Sequence, residues 1–139
     1  MTLLPTSAGA GAPAAFSPLV LIVDDNETNR KLARDVLRAA GLRTIETASG
    51  RETLDLAAER RPDVILLDLR LPDMDGVEVA RRLRAEANTA SIPVVALSAL
   101  RAAGEGASLR TAGFAGYLEK PIDVSRFPVQ VRGYCRDTA

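Results

Sequence analysis

The run Val64-Ile65-Leu66-Leu67 is apolar at every position and stops abruptly at Asp68. A half-buried strand alternates apolar and polar side chains, so an unbroken apolar run implies a strand covered on both faces, with only its end in water. Parallel sheets are built from such strands, and this stretch therefore narrows the fold class more than any other. Asp68 falls at the wet end, where chemistry can happen. Residues 69–76 are turn material. Pro72 cannot continue a central strand, and Asp75-Gly76 with Glu78 close behind supplies a helix start. The plain alternative is an acid that only punctuates a strand end.

The same pattern recurs along the chain. Leu19-Val20-Leu21-Ile22-Val23 ends in Asp24-Asp25, and a helical pattern through Leu32, Val36 and Leu37 then runs to Gly41, which suits the left-handed residue past a helix. Residues 42–48 read as a strand favoured by Thr44, Ile45 and Thr47. Ser49-Gly50-Arg51-Glu52 matches a capping box and opens a helix that Arg61-Pro62 ends. The helix after Asp68 carries Val77, Ala80 and Leu83 as a one-sided apolar stripe. Residues 92–97 form a fourth strand ending in Ser98. Residues 101–113 should be helical in their second half, with Gly104 and Gly106 each weakening the helix by about 1 kcal/mol relative to alanine. Gly116-Tyr117-Leu118-Glu119 is a fifth strand ending in Lys120-Pro121, and Ser125 can cap a last helix with Pro128 in its first turn.

Five strands alternating with five helices imply an α/β fold, a parallel sheet with helices on both faces. Ligands of such sheets bind beyond the carboxyl ends of the strands. Asp24, Asp25, Asp68, Ser98 and Lys120 all fall at those ends.

Composition removes several classes of function. A chain of 139 residues supports one domain with a proper core, expected over residues 18–139, and an Ala/Gly/Pro-rich tail over residues 1–17 is expected to be disordered. That tail carries no basic residue, so the charged start of a secretory signal is missing, although a processed leader is the alternative. The formal net charge is zero and no polybasic run exists, which argues against nucleic acid or an anionic membrane as partner. Arg81, Arg82 and Arg84 cluster, but acids flank them and a solvated helix face explains them. No apolar run is long enough to span a bilayer. Cys135 is the only cysteine, so no internal disulfide forms and a cytoplasmic setting fits. The chain has no histidine, which excludes the serine triad, the usual zinc sites and a phosphohistidine of its own.

Carboxylates brought together repel one another and stay ionised only with a compensating cation or strong donors. Oxygen ligands without histidine or thiolate point to a hard ion such as Mg²⁺. Calcium is the weaker alternative, because Asp73-Met74-Asp75-Gly76 resembles only a fragment of a calcium loop and lacks the distal Glu. Beside a metal and a lysine, a carboxylate can attack phosphorus and form an acyl phosphate. Only two of the 18 basic residues are lysines, Lys31 and Lys120, and a lysine retained among arginines suits a need for a compact point charge.

Val23-Asp24-Asp25-Asn26, Leu67-Asp68, Leu71-Pro72-Asp73-Met74-Asp75-Gly76, Ser98-Ala99 and Lys120-Pro121 together resemble the receiver domain of two-component response regulators, most of all stand-alone receivers of the chemotaxis and cell-division type. The resemblance implies a flavodoxin-like (βα)5 sandwich with strand order 2-1-3-4-5. It implies Asp68 as phosphoacceptor and Mg²⁺, with Mn²⁺ as a substitute, held by Asp24, Asp25, Asp68 and the backbone carbonyl of Arg70. Ser98 matches the switch hydroxyl, Tyr117 the aromatic that moves with it, and Lys120 the lysine that pairs with phosphate. Arg70 and Leu100 match positions that tune phosphoryl lifetime. Arg110, Phe114 and Tyr117 are candidate partner contacts on the face of the fourth helix, fifth strand and last helix.

The implied donor is a histidine kinase or histidine phosphotransfer protein, the output an unknown protein target, and the assembly a monomer or a phosphorylation-dependent homodimer. The expected function is a phosphorylation-controlled binding module and not an enzyme, although it would assist its own phosphorylation and dephosphorylation. A phosphate sink or relay shuttle shares all of this chemistry. An aspartyl-phosphate phosphatase is disfavoured, since the residue two after Asp68 is Arg70 and cannot carry the proton.

Overall fold

The computed structural model describes residues 17–98 and 105–135. The tail expected over residues 1–17 lies outside them apart from Ser17, and so does Leu100. Among the described residues strands and helices alternate: β1 (Leu19–Val23), α1 (Glu27–Ala39), β2 (Arg43–Thr47), α2 (Gly50–Arg60), β3 (Val64–Asp68), α3 (Gly76–Ala85), β4 (Val94–Ser98), α4 (Glu105–Thr111), β5 (Gly116–Glu119) and α5 (Phe127–Tyr134). The strands form one parallel sheet in the order β2-β1-β3-β4-β5.

The apolar runs occupy the middle of this sheet. β1 and β3 are buried along their whole length and β4 is buried up to Ser98, whereas the edge strands β2 and β5 expose part of theirs. The strand period of two sorts each run between the faces. Val20, Ile22, Val64, Leu66, Val95 and Leu97 pack with Ala33 and Leu37 of α1 and Phe127 and Val131 of α5. Leu21, Val23, Ile65, Leu67, Val94 and Ala96 pack with side chains of α2, α3 and α4 on the opposite face. Each large aliphatic group buried this way contributes about 1.5–3 kcal/mol, so the two layers dominate the stability of the fold. The order in which strands are added reverses between β1 and β3, which makes their carboxyl ends the topological switch point. Val23 pairs with Leu67, so the next residues, Asp24 and Asp68, emerge side by side.

Several local expectations need correction. Val77 is 41% exposed, and the buried stripe of α3 is Gly76, Val79, Ala80 and Leu83, because Gly76 is tucked under the end of β3 and fixes the rotation of the helix. The capping box of α2 is half formed. Ser49 Oγ accepts the Glu52 N–H at 3.1 Å, but the Ser49 N–H donates to Thr47 Oγ1 at 3.2 Å and the Glu52 carboxylate takes the Thr47 hydroxyl. Ser125 does not cap α5. Its N–H and hydroxyl both donate to Asp123 Oδ1, at 3.0 and 2.7 Å, and α5 starts after Arg126 without a side-chain cap. Gly41 does follow α1 in the left-handed region, at φ 91°. Cys135 is a free thiol, pushed up to about 11 by burial and by the nearby Asp63.

The loop between β3 and α3 is held at its base and at its tip. The Gly76 N–H donates to the Leu69 carbonyl at 3.1 Å, and Arg70 and Asp75 form an isolated antiparallel bridge. At the tip, Asp73 accepts the Gly50 N–H at 2.9 Å and the Arg51 N–H and Ser49 hydroxyl at 3.0 Å each. Those backbone donors hold the Asp73 carboxyl below the usual carboxylate range.

Gly76 lets this loop close on the strand, since a Cβ there would sit 2.8 Å from Leu69 Cα and 3.0 Å from the Asp68 carbonyl oxygen. Backbone atoms of a central strand cannot step aside as a flexible side chain can. Gly76→Ala is therefore expected to lower unfolding stability by about 1–3 kcal/mol, read as the shift of the urea midpoint at constant slope. A midpoint equal to the parent's would show that the loop yields.

Candidate functional site

Beyond the carboxyl ends of β1, β3, β4 and β5 lies an open pocket of about 580 Å³ that brings together Asp24, Asp25, Asp68, Ser98 and Lys120, with Asn26, Asn29 and Arg70 around them. Carboxylate oxygens of Asp24, Asp25 and Asp68 lie within 4.8 Å of one another. Asp24 is buried, Asp25 is exposed, and Asp68 is 8% exposed. Every oxygen of the two buried acids has a neighbour. Asp24 Oδ1 accepts the Asn26 N–H at 2.9 Å and Asp68 Oδ1 accepts the Arg70 N–H at 3.0 Å. The remaining oxygen of each meets Lys120 Nζ at 3.1 Å.

The electrostatics follow from this crowding. Burial pushes the Asp68 carboxyl above its ordinary value and the Asp24 charge adds to the rise, while the Arg70 N–H and Lys120 oppose it. For Lys120, burial alone would lower the ammonium, but the contacts to Asp68 and Asp24 outweigh it and the pKa is raised. Three carboxylates face one ammonium, which leaves the pocket with an excess of negative charge. Oxygen-only donors with uncompensated charge suit a hard divalent cation.

Two further residues brace the acids. Arg30 donates through Nη1 to the Asp24 carbonyl at 2.8 Å and through Nε to Glu46 Oε1 at 3.2 Å, while Arg34 Nη1 reaches Glu46 Oε2 at 3.2 Å. This ties the acidic turn to α1 and β2. Sequence reasoning missed Arg30, since no spacing rule leads from it to the main chain of Asp24. Asp73 was missed as well, because its donors lie 22–24 residues earlier.

The other candidate residues lie apart from the pocket. Tyr117 is on β5, 37% exposed, and Arg110 is exposed in the last turn of α4. Phe114 corrects an expectation: it is 4% exposed and belongs to the core between the sheet and α3–α4, so it offers no surface to a partner. A second cavity of about 340 Å³ adjoins the pocket and shares Asp24, Asn29, Leu97 and Lys120 with it. Its remaining wall is apolar and includes Leu32, Ile122 and Phe127.

Comparison with known proteins places this architecture in a defined class. Residues 20–132 match the response regulator receiver domain, and the chain belongs to that family. Within it, the chain is 44% identical over 118 residues to the polar-differentiation response regulator DivK of Brucella anthropi, a match that covers 85% of this chain and 96% of that protein. Among solved structures, it is similar to the chemotaxis response regulator CheY4 of Vibrio cholerae, with TM-score 0.79, 27% identity and coverage of 85% and 98%. It is also similar to the receiver domain of the sensor histidine kinase PA1611 of Pseudomonas aeruginosa, with TM-score 0.77, 31% identity and coverage of 85% and 97%. In that structure a magnesium ion is coordinated in the active-site cleft. The chain is thus a response regulator receiver of two-component signalling, and among the described residues no helix is long and apolar enough to cross a membrane.

The raised pKa of Asp68 has a consequence for stability. An unfolded Asp ionises near about 3.9, whereas the folded chain keeps the proton to higher pH, so stability is lost as pH rises from the unfolded to the folded value and stays lower above it. Without divalent cations, Asp68→Asn is expected to show a higher urea midpoint than the parent at pH 7, with the difference vanishing below about pH 4. A lower midpoint for the variant at pH 7 would mean that the ion pair to Lys120 outweighs the crowding.

Proposed function

We propose that this protein is a single-domain response regulator that accepts a phosphoryl group on Asp68 from a phosphohistidine of a histidine kinase or phosphotransfer protein. The observation that carries this reading is the setting of Asp68: nearly buried, one oxygen on the Arg70 N–H and the other on Lys120 Nζ, at the floor of an acidic pocket open to solvent. The DivK relative consists of little beyond the matched region, which supports a role without an attached output domain.

In the transfer, an Asp68 carboxylate oxygen bonds to phosphorus as the phosphorus–nitrogen bond of the donor breaks, and the imidazole leaves with that electron pair. Lys120 is already within reach of the phosphoryl oxygens and would divide its charge between them and Asp24. The Ser98 hydroxyl lines the same pocket and offers those oxygens a donor. Asp24, Asp25, Asp68 and the Arg70 carbonyl would hold Mg²⁺, which when bound supplies positive charge to the developing phosphoryl negative charge. The apolar cavity beside the pocket, with Asn29 and Leu32 in its wall, gives the donor protein a surface to cover.

An aspartyl phosphate carries close to two negative charges, and Ser98 and Lys120 would follow it. Lys120 and Ser98 terminate neighbouring strands, so the response would be read at the β5 edge, where Tyr117 and Arg110 are exposed. On this reading the chain is the acceptor of a transferred group and a switch, not a turnover enzyme, and works in the cytoplasm.

Intact-mass analysis after incubation with acetyl phosphate and Mg²⁺ tests the reading. A phosphoryl mass shift is expected on the parent and is absent from Asp68→Asn and from a sample held in chelator. A shift that persists on Asp68→Asn overturns the assignment of the acceptor.

A further inference from the structure

Asp73 lies outside the acidic pocket, yet both of its carboxylate oxygens are engaged with the start of α2. A helix cap is normally supplied by the residue just before the helix, and Ser49 already serves the Glu52 N–H in that way. Asp73 is a second acceptor, delivered from 23 residues further on to the Gly50 N–H. Its negative charge also suits the positive end of α2. The carboxyl is ionised at neutral pH, and the N–H groups that bind it hold it below the usual carboxylate range.

What the clamp holds is the loop that carries Arg70. The base of that loop is fixed by Gly76 to Leu69 and by the Arg70–Asp75 bridge, and its tip is fixed by Asp73. At the base, the Arg70 N–H donates to Asp68 Oδ1 and leaves Oδ2 to Lys120. The orientation of the Asp68 carboxylate thus depends on where the loop puts one backbone amide. Gly50 packs so closely on Met74 and Val79 that a Cβ there would lie 3.0 and 2.9 Å from their side chains, so the α2 end of the clamp is itself braced.

We propose that Asp73 is a positioning residue: by pinning the β3–α3 loop to the first turn of α2 it sets, through the Arg70 main chain, the orientation of Asp68 and the cation affinity of the acidic pocket. The cation part rests on the receiver chemistry proposed above, whereas the orientation part does not.

The test uses the full chain with Asp73→Ala and Asp73→Asn, read by backbone amide hydrogen exchange and by titration with Mg²⁺ alone followed through amide chemical shifts. Exchange is expected to quicken in Asp73→Ala at Gly50 and Arg51, which lose their acceptor, and also at Arg70 and Gly76, which do not touch Asp73. Mg²⁺ affinity is expected to fall on the order of tenfold. Asp73→Asn, which keeps one acceptor oxygen, should lie between. Faster exchange confined to Gly50 and Arg51, with Arg70 unchanged and Mg²⁺ affinity at the parent value, reduces Asp73 to a helix cap and overturns the proposal. Should Asp73→Ala not fold, parent-like exchange at Arg70 in Asp73→Asn overturns it equally. A parent that binds no Mg²⁺ counts against the receiver reading, and exchange at Arg70 then decides the positioning role alone.

Discussion

Asp24 and Asp68 are set side by side by the register of β1 on β3, with carboxylate oxygens no more than 4.8 Å apart. At an effective dielectric near 20, two unit charges about 5 Å apart repel by about 3 kcal/mol, a large share of a small domain's stability. Neither acid can move away, because Asp24 directly follows and Asp68 ends a fully buried strand whose apolar side chains are locked into two layers. Lys120, arriving from β5, is the ammonium that meets both. The hydrophobic layers therefore do more than hold the sheet together; they hold an unfavourable charge arrangement in place.

The same constraint explains which parts of the molecule were legible in the sequence. Central strands buried on both faces must be apolar throughout, so β1 and β3 announce themselves, and an acid directly after such a run can only lie at the carboxyl end of the sheet. Once the alternation of strands and helices is recognised, Asp24, Asp25, Asp68, Ser98 and Lys120 converge without further information. What stayed hidden depends on contacts between elements distant in sequence. The rotation of α3 is set by Gly76 against β3, which no helical periodicity encodes, and Val77 was placed on the wrong side for that reason. Glu52 and Ser125 carry sound capping chemistry, but Thr47 and Asp123 compete for the same groups. Phe114 follows a short helix near exposed positions, and only the packing of α4 on the sheet shows that it turns inward.

Arg30 and Asp73 belong to that hidden set, and they share a design. Each acts through main chain and not through the carboxylate of a pocket acid: Arg30 donates to the Asp24 carbonyl, and Asp73, itself part of the loop that carries the Arg70 N–H, accepts the Gly50 N–H. Each is anchored at its far end to a different part of the fold, Arg30 to Glu46 on β2 and Asp73 to the start of α2. Fixing backbone instead of side chain leaves the carboxylate oxygens available while restricting where they point. A site that receives a cation and then a phosphoryl group, as in the proposed function, would be served by that arrangement, because order is paid for before either arrives.

An excess of negative charge in the folded pocket also joins stability to ligation. Any species that binds the folded acids and not the unfolded chain adds stability in proportion to the logarithm of its concentration over its dissociation constant, so a cation would relieve the strain that the register of β1 on β3 imposes. A phosphoryl group on Asp68 would change the balance in a different direction, by drawing Lys120 away from its even division between Asp24 and Asp68. The Lys120 main chain is tied to the neighbouring strand, for its backbone N–H donates to the Ser98 carbonyl at 3.0 Å, and that bond joins the ends of β4 and β5. On the proposed function, redistribution of one ammonium would be felt where Ser98 and β5 meet, on the strand that carries the half-exposed Tyr117. A local change of charge can bias a surface only through an element with two arrangements of similar energy, and the edge strand β5 is short and alternates buried and exposed side chains.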